Sequence, residues 1–191
     1  MSRDQHRSAV YAAEDQLGRL LARGGAVDFY GSTLTLPVER RFADIASVQR
    51  YVDAVLALSS VRERWPRVTP VRVRERSGLS RAHYEPAGPD RVATATIAIP
   101  LAGPVEVRWA ARETVVLHEI AHHLMAQGLP PEPWHGPTFC GVLLSLIATA
   151  IGPEAALALR AAFDGAGIPV TEVVAVVDAG LDVGVDIEVS S

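Results

Sequence analysis

Residues 117–139 read LHEIAHHLMAQGLPPEPWHGPTF and contain the signature His-Glu-x-x-His, with a further histidine downstream. On a helix, His118 and His122 project from one face, so two imidazole nitrogens can bind one metal ion. Glu119 lies one step around the helix, beside the metal's open side, where its carboxylate can take a proton from water. His135 adds a third ligand and leaves the fourth position open. This set is typical of a catalytic zinc site rather than a structural one.

The residues around the signature predict a buried helix. Residues 113–127 contain neither glycine nor proline, and Gly128 with the prolines that follow it ends the segment. Apolar surface around the histidines comes from Ile120, Ala121 and Leu124. The alternative is an amphipathic helix whose histidines are hydrogen-bonded core residues, which a lone histidine would favour but this set of residues does not.

The third ligand separates the subclasses of zinc hydrolase. A metzincin requires glycine at position 125 and histidine at position 128, where this chain has Met125 and Gly128, so that class is excluded. A thermolysin-like protein uses a downstream glutamate as its third ligand. Glu132 and Glu154 stay open as alternatives of that kind.

His135 is the favoured third ligand because of the residues that follow it. Gly136 lets the backbone approach a metal closely, and Pro137 suits the first turn of a helix. The helix predicted over residues 138–151 is apolar enough to pack against the signature helix and hold His135 in place. Cys140 on this helix is predicted to be a small buried core residue rather than a thiol ligand or nucleophile.

The pattern His118-Glu-x-x-His122 followed by His135-Gly-Pro-Thr-Phe-Cys140 resembles the SprT-like (Spartan-type) zinc metallopeptidases, whose third ligand lies in a His-Gly-x-x-Phe/Trp segment. The whole chain is also similar to a group of small metallohydrolases of high-GC bacteria. In that group Ala-His-Tyr-Glu and Ile-Ala-Ile-Pro segments precede the metal helix, as residues 82–85 and 97–100 do here. The resemblance implies an α+β, zincin-like domain of the minimal gluzincin type, with a small mixed sheet packed against the signature helix and further helices. The sequence shows no Cys-rich zinc ribbon, so repair of DNA–protein crosslinks is not implied.

These residues predict a zinc-dependent hydrolase (a metallopeptidase) that cleaves amide bonds of a peptide or protein substrate. Zn²⁺ would activate a water, and Glu119 would act as general base and then return the proton to the leaving amine. His83 and Tyr84 are the candidates for a second donor to the developing oxyanion, and on an extended strand only one of them can face the cleft. His123 is expected to support the site or lie at the surface, not to bind the metal. By the resemblance, residues 94–100 form the sheet edge along which an extended peptide binds.

Two other functions stay open. One is a zinc-binding sensor or interaction module without hydrolytic activity, although such a protein has no need of Glu119. The other is a nucleic-acid-associated protease similar to Spartan, suggested by a run of arginines: Arg62, Arg64, Arg67, Arg72, Arg74, Arg76 and Arg81. Arg72, Arg74 and Arg76 alternate with Val71, Val73 and Glu75, so the three arginine side chains are predicted to lie on one face of a strand. We interpret that face first as a solvated one, because the net charge is −4 and no aromatic residues interleave the run.

Composition favours a single domain. Of the 191 residues, 1–168 are predicted to form the metallohydrolase domain and 169–191 a Val-rich acidic segment docked on it. There is one cysteine, so no intrachain disulfide is expected, and no apolar secretion signal is visible near the N-terminus. The longest apolar stretch, residues 141–152, is shorter than the roughly 20 residues of a membrane span. A cytoplasmic protein is therefore expected.

The order of predicted elements is that of an α+β fold. Besides the signature helix, helices are predicted over residues 4–23, 44–64, 138–151 and 153–163. Strands are predicted over residues 27–38 (as a strand or a hairpin with its turn at 31–32), 71–75, 82–85 and 92–99. Residues 170–189 fit either a strand pair or a docked helix.

Overall fold

The computed structural model of the protein describes residues 4–78, 81–88, 94–103, 109–127, 129 and 132–172. Within these residues helices and short strands follow the predicted α+β order. The helices are α1 (Arg7–Arg23), α2 (Ile45–Ala57), α3 (Ser59–Arg64), α4 (Glu113–Met125), α5 (Pro137–Ala150) and α6 (Pro153–Gly165). The strands are β1 (Gly25–Phe29), β2 (Ser32–Leu36), β3 (Arg72–Glu75), β4 (His83–Glu85) and β5 (Thr96–Ile99). None of the described helices has the length and apolar character that crossing a bilayer requires.

Two predicted segments are divided in the structure. Residues 27–38 belong to a hairpin of β1 and β2, and its turn lies at Tyr30 and Gly31, both with positive φ, one residue before the predicted turn. The helix predicted over residues 44–64 is α2 followed by α3, because the residue between them leaves the helical conformation. Residues 173–191, which hold most of the predicted C-terminal segment, lie outside the described residues.

A mixed three-stranded sheet supports the helices. Its strand order is β3–β5–β4, with β5 parallel to β3 and antiparallel to β4. The prediction that residues 94–100 form the sheet edge is therefore wrong, because β5 is the central strand. Its residues Ile97, Ala98 and Ile99 are all fully buried, and a continuous apolar run is typical of a strand covered on both faces. In the described residues, β4 lies at an edge instead.

Arg72 and Arg74 of β3, together with Arg76 just after its end, share one face of this sheet, as the alternation predicted. Val71 and Val73 are buried on the opposite side of the strand. Arg74 forms an ion pair with Glu85, which lies across the sheet on β4. Arg76 forms a hydrogen bond with the ring of His83. Two of the three guanidinium groups on this face are thus engaged by neighbouring side chains of the same sheet.

Helix α4 lies at the centre of the fold. It packs against α5, α2 and strand β4, and 11 of its 13 residues are buried. Val73, Ile97 and Tyr84 stand in one row across the sheet, and from this row Tyr84 contacts His123 of α4. Full burial of a leucine or isoleucine side chain contributes about 1.5–3 kcal/mol. The several such residues of α4 therefore fix the helix that carries the signature.

A buried carboxylate from a distant segment caps the start of α4. Arg112, just before the helix, makes no side-chain cap. Glu39, from the connection between β2 and α2, accepts hydrogen bonds from the Thr114 N–H at 2.9 Å and from Arg112 Nε at 2.7 Å. Glu113 is also buried and accepts from the Tyr51 hydroxyl at 2.7 Å. Negative charge here is favourable because it faces the positive end of the helix dipole.

Candidate metal centre

Three buried imidazole groups converge where α4 meets the segment before α5. His118 and His122 project from α4, and His135 lies immediately before the start of α5. Nε2 of His118 is 3.0 Å from Nε2 of His122 and 3.4 Å from Nε2 of His135. Their ligand atoms are close enough together to hold one metal ion. The structure thus brings together the three histidines that the sequence predicted as ligands.

The outer ring nitrogens of two histidines indicate which lone pairs face inward. Nδ1 of His118 lies 2.8 Å from Oε1 of Glu14, and Nδ1 of His135 lies 2.6 Å from Oδ2 of Asp4. When Glu14 and Asp4 are ionised they can only accept, so each Nδ1 then donates its proton outward and leaves an unprotonated Nε2. Unprotonated nitrogens this close repel one another, and a cation between them removes that repulsion. The donor set therefore fits Zn²⁺ and other transition metals that bind imidazole.

Burial sets the charge of these groups. It lowers the pKa of His118 to about 3 and the pKa of His122 well below its usual range, so both imidazoles are neutral at pH 7 and able to bind a metal. Burial also raises the pKa of Glu14 and the pKa of Glu119 to about 8. A cation among the histidines would stabilise both carboxylates by its charge. The neutral imidazoles can therefore donate lone pairs to a metal ion, and the buried acids can balance its charge.

Two adjoining cavities flank the ligands and together form what we call the cleft. The smaller, of about 370 Å³, lies between α1 and the first half of α4. The larger, of about 570 Å³, lies beside β4 and reaches His122 and His135. Tyr11, Arg81 and Glu119 line both cavities. These volumes are in the range of small-molecule and peptide-side-chain pockets.

Glu119 is placed between the ligands and the cleft. It is buried, and its carboxylate accepts a hydrogen bond from the backbone N–H of Tyr84 in β4. Its Oε2 has no hydrogen-bond partner in the described part of the chain. The carboxylate is thus oriented by the sheet and keeps an acceptor oxygen free beside the metal ligands.

Helix α1 supplies site residues that sequence reasoning missed. Glu14 and Asp4 accept from the ligand histidines, and the ring of Tyr11 stacks on His118 with a centroid distance of 5.2 Å. One signal was present in the sequence. Glu14 lies on the apolar face of α1, between two buried residues of that face, Val10 and Leu17, where a carboxylate is costly unless it has a partner. Asp4, which precedes the helix, gave no such signal.

Glu14→Gln is expected to weaken zinc binding by about 10- to 100-fold, and Asp4→Asn by a similar factor. The neutral amide no longer strengthens the Nδ1–H bond that fixes the ring and raises its basicity. Competition with a chromophoric chelator at constant pH measures the dissociation constant. Asp15→Asn is the matched control, because Asp15 is an exposed carboxylate of the same helix. Wild-type affinity in both Glu14→Gln and Asp4→Asn would contradict the assigned contacts.

Strand β4 brings both predicted oxyanion donors to the cleft. Tyr84 faces α4, where its hydroxyl lies 3.3 Å from Nδ1 of His123. His83 points to the other face, with its ring nitrogens 2.7 Å from Arg76 and 2.7 Å from Glu85. Both residues nevertheless line the larger cavity, because β4 is an edge strand. Their side chains point to opposite faces of the strand, as the extended backbone predicted, and which of the two acts in the cleft stays a prediction.

Four other residues singled out in the sequence lie outside the ligand group. His123 is fully buried with Nε2 2.8 Å from a backbone carbonyl oxygen, so it is not a surface residue. Glu132 accepts hydrogen bonds from the first turn of α5, and Glu154 lies in the first turn of α6. Cys140 is fully buried, as predicted, and burial raises the pKa of its thiol to about 12.

Comparisons with known proteins leave the function to be inferred from this site. No family model, no curated protein and no solved structure matches the chain. The resemblance to SprT-like metallopeptidases rests on the signature residues and the segment from His135 to Cys140. What that resemblance implies about activity stays a prediction.

Proposed function

We propose that this protein is a zinc-dependent hydrolase that cleaves peptide bonds. One observation carries the proposal: the buried carboxylate of Glu119 lies beside three converging imidazole groups at the wall of an open cleft. A structural zinc site is usually closed by four protein ligands. In the described residues the ligand group has three members, which leaves a position for water or substrate.

The histidines and Glu119 have separate roles in the proposed reaction. His118, His122 and His135 would hold Zn²⁺, which when bound lowers the pKa of water and polarises a carbonyl group. Glu119 takes the proton of the attacking water and returns it to the leaving amine nitrogen. Its hydrogen bond from the Tyr84 N–H holds the carboxylate in one orientation during both transfers.

A donor for the oxyanion is available on β4. Burial raises the pKa of Tyr84 to about 12, so its hydroxyl keeps its proton at neutral pH and can donate a hydrogen bond to developing negative charge. The Tyr84 hydroxyl has one contact, of 3.3 Å, with Nδ1 of His123. His83 is the second candidate, because both of its ring nitrogens have closer partners, at 2.7 Å. We therefore assign the donor role to Tyr84 before His83.

The edge strand suits an extended peptide substrate. Strand β4 uses one side to pair with β5, and the Tyr84 N–H points from its other side to Glu119. The outer edge of β4 thus faces the site where hydrolysis is proposed. Backbone hydrogen bonds along such an edge bind a peptide irrespective of its sequence. This edge replaces residues 94–100 as the proposed substrate strand.

Metal-dependent cleavage of a peptide library tests the proposal. The zinc-loaded protein is expected to generate new peptide termini, detected by mass spectrometry, that disappear when zinc is removed by a chelator and return when zinc is restored. These outcomes follow because the water lacks an activating cation in the metal-free protein. A protein that binds zinc tightly but yields no new termini from any peptide would instead favour the sensor or interaction module.

A further inference from the structure

Three guanidinium groups line the larger cavity beside the metal ligands: those of Arg7, Arg76 and Arg81. Cζ of Arg81 lies 4.0 Å from the centroid of the Tyr11 ring, and Cζ of Arg7 lies 5.8 Å from the same centroid. Arg76 donates a hydrogen bond from Nη1 to the carbonyl oxygen of Arg81 at 2.8 Å. One aromatic ring and one backbone contact thus gather three positive charges at this cavity.

No carboxylate of the described residues forms an ion pair with any of these three arginines. Arg74 provides the comparison, because it shares a strand face with Arg76 and is paired with Glu85. Arg76 contacts a carbonyl oxygen and the His83 ring instead. Positive charges held together without a directly paired carboxylate repel one another, and an anion that binds between them relieves this repulsion.

Two carboxylates, those of Asp4 and Glu119, also line this cavity, and one oxygen of each is hydrogen-bonded to another group. Asp4 accepts from His135, and Glu14 of the adjoining cavity accepts from His118. Glu119 accepts from a backbone N–H of β4. A zinc ion at the three histidines would add two further positive charges. Three guanidinium groups and the zinc ion together outweigh the two carboxylates, so the zinc-loaded cavity presents an excess of positive charge to a substrate.

We infer that the larger cavity binds a carboxylate group of the substrate, so that the enzyme prefers peptides with a carboxylate close to the cleaved bond. The inference rests on the proposed function and adds a substrate class to it. A guanidinium group matches a carboxylate with two parallel hydrogen bonds. The aromatic ring beneath Arg81 restrains its side chain and so reduces the entropy lost on binding. The carboxylate belongs either to an Asp or Glu side chain or to the C-terminus of the peptide.

The test uses one library peptide that the zinc-loaded protein cleaves next to a glutamate, together with three derivatives. In these the glutamate is replaced by glutamine, the C-terminus is amidated, or both changes are made. Removing the recognised carboxylate is expected to lower kcat/KM by about tenfold or more. The derivative that responds identifies the side chain or the C-terminus as the source. A library in which cleavage sites show no preference for either carboxylate would already overturn the inference.

Single arginine variants then connect this preference to the cavity. Arg81→Gln and Arg7→Gln are expected to lose the discrimination between carboxylate and amide peptides. Both side chains are exposed, so these substitutions have little effect on folding. Arg72→Gln is the matched control, because Arg72 is an exposed residue of β3, four positions before Arg76, and does not line the cavity. Full discrimination in both cavity variants would overturn the inference and leave the proposed hydrolase function intact.

A binding measurement separates this inference from the proposed function. The zinc-loaded Glu119→Gln protein is titrated with the same four peptides, with and without Arg81→Gln. Tighter binding of the carboxylate peptides that depends on Arg81 would support the inference even if no peptide were cleaved. Equal affinity for all four peptides would overturn it. Salt-sensitive binding of a single-stranded oligonucleotide that exceeds peptide binding and is lost in Arg81→Gln would assign the arginines to phosphate and also overturn it.

Discussion

His135→Ala is expected to weaken zinc binding by about 100- to 1,000-fold, whereas the wild-type protein, purified without chelator, should carry about one zinc ion per chain. A zinc site with four protein ligands gains about 10–16 kcal/mol in total, or roughly 2.5–4 kcal/mol per ligand. His135 has no substitute in the described residues, because neither Glu132 nor Glu154 belongs to the ligand group. Metal content by mass spectrometry and competition with a chelator measure the loss.

Two control variants show whether the loss of zinc affinity is specific to His135. His83→Ala removes an imidazole that lines the cleft without belonging to the ligand group, so it should retain zinc. Glu132→Ala removes the cap of α5 and should lower stability by about 0.5–2 kcal/mol while leaving the ligands in place. If His135→Ala kept full affinity and Glu132→Ala or Glu154→Ala lost it, the ligand assignment would be wrong.

Local sequence patterns predicted that His118, His122 and His135 lie together, because the relevant information is local. His118 and His122 are related by the geometry of one helix, and Gly136 with Pro137 marks the start of the next helix. Each of these features depends on a few neighbouring residues. The helices of the site were therefore predictable to within a few residues of their ends.

The partners of the ligands were not predictable because they come from distant parts of the chain. Glu14 and His118 are separated by 104 positions, and Asp4 and His135 by 131. No pattern in a single segment encodes such contacts. The cap of α4 by Glu39 has the same origin, with 75 positions between it and Thr114. The one indication in the sequence was the position of an acid, Glu14, on the apolar face of α1.

Strand order was mispredicted for a related reason. Proximity in sequence to the metal helix suggested that residues 94–100 form the edge, but a strand's neighbours depend on which distant segment pairs with it. Strand β3 pairs in parallel with β5 and so makes it central. The uninterrupted run Ile97, Ala98 and Ile99 was the sequence feature that indicated a strand covered on both faces.

Glu119→Gln is expected to keep the fold and the bound zinc and to lower peptide hydrolysis by about 100- to 10,000-fold. Glutamine has nearly the same shape and still offers an oxygen to the Tyr84 N–H, so the contact to β4 can persist. The neutral amide cannot accept a proton from the attacking water or pass one to the leaving amine. Metal content, circular dichroism and kcat/KM on a cleaved library peptide measure the three properties.

A matched substitution shows whether the loss of hydrolysis is specific to Glu119. Glu132→Gln makes the same chemical change at a carboxylate that holds the start of α5, so it should alter stability slightly and leave kcat/KM close to wild type. Undiminished turnover in Glu119→Gln would contradict the assigned base. Loss of zinc together with activity would instead make Glu119 a residue that orders the ligands, because its buried carboxylate then compensates the charge of the metal. Separate measurement of zinc content therefore distinguishes a proton-transfer role from an electrostatic one.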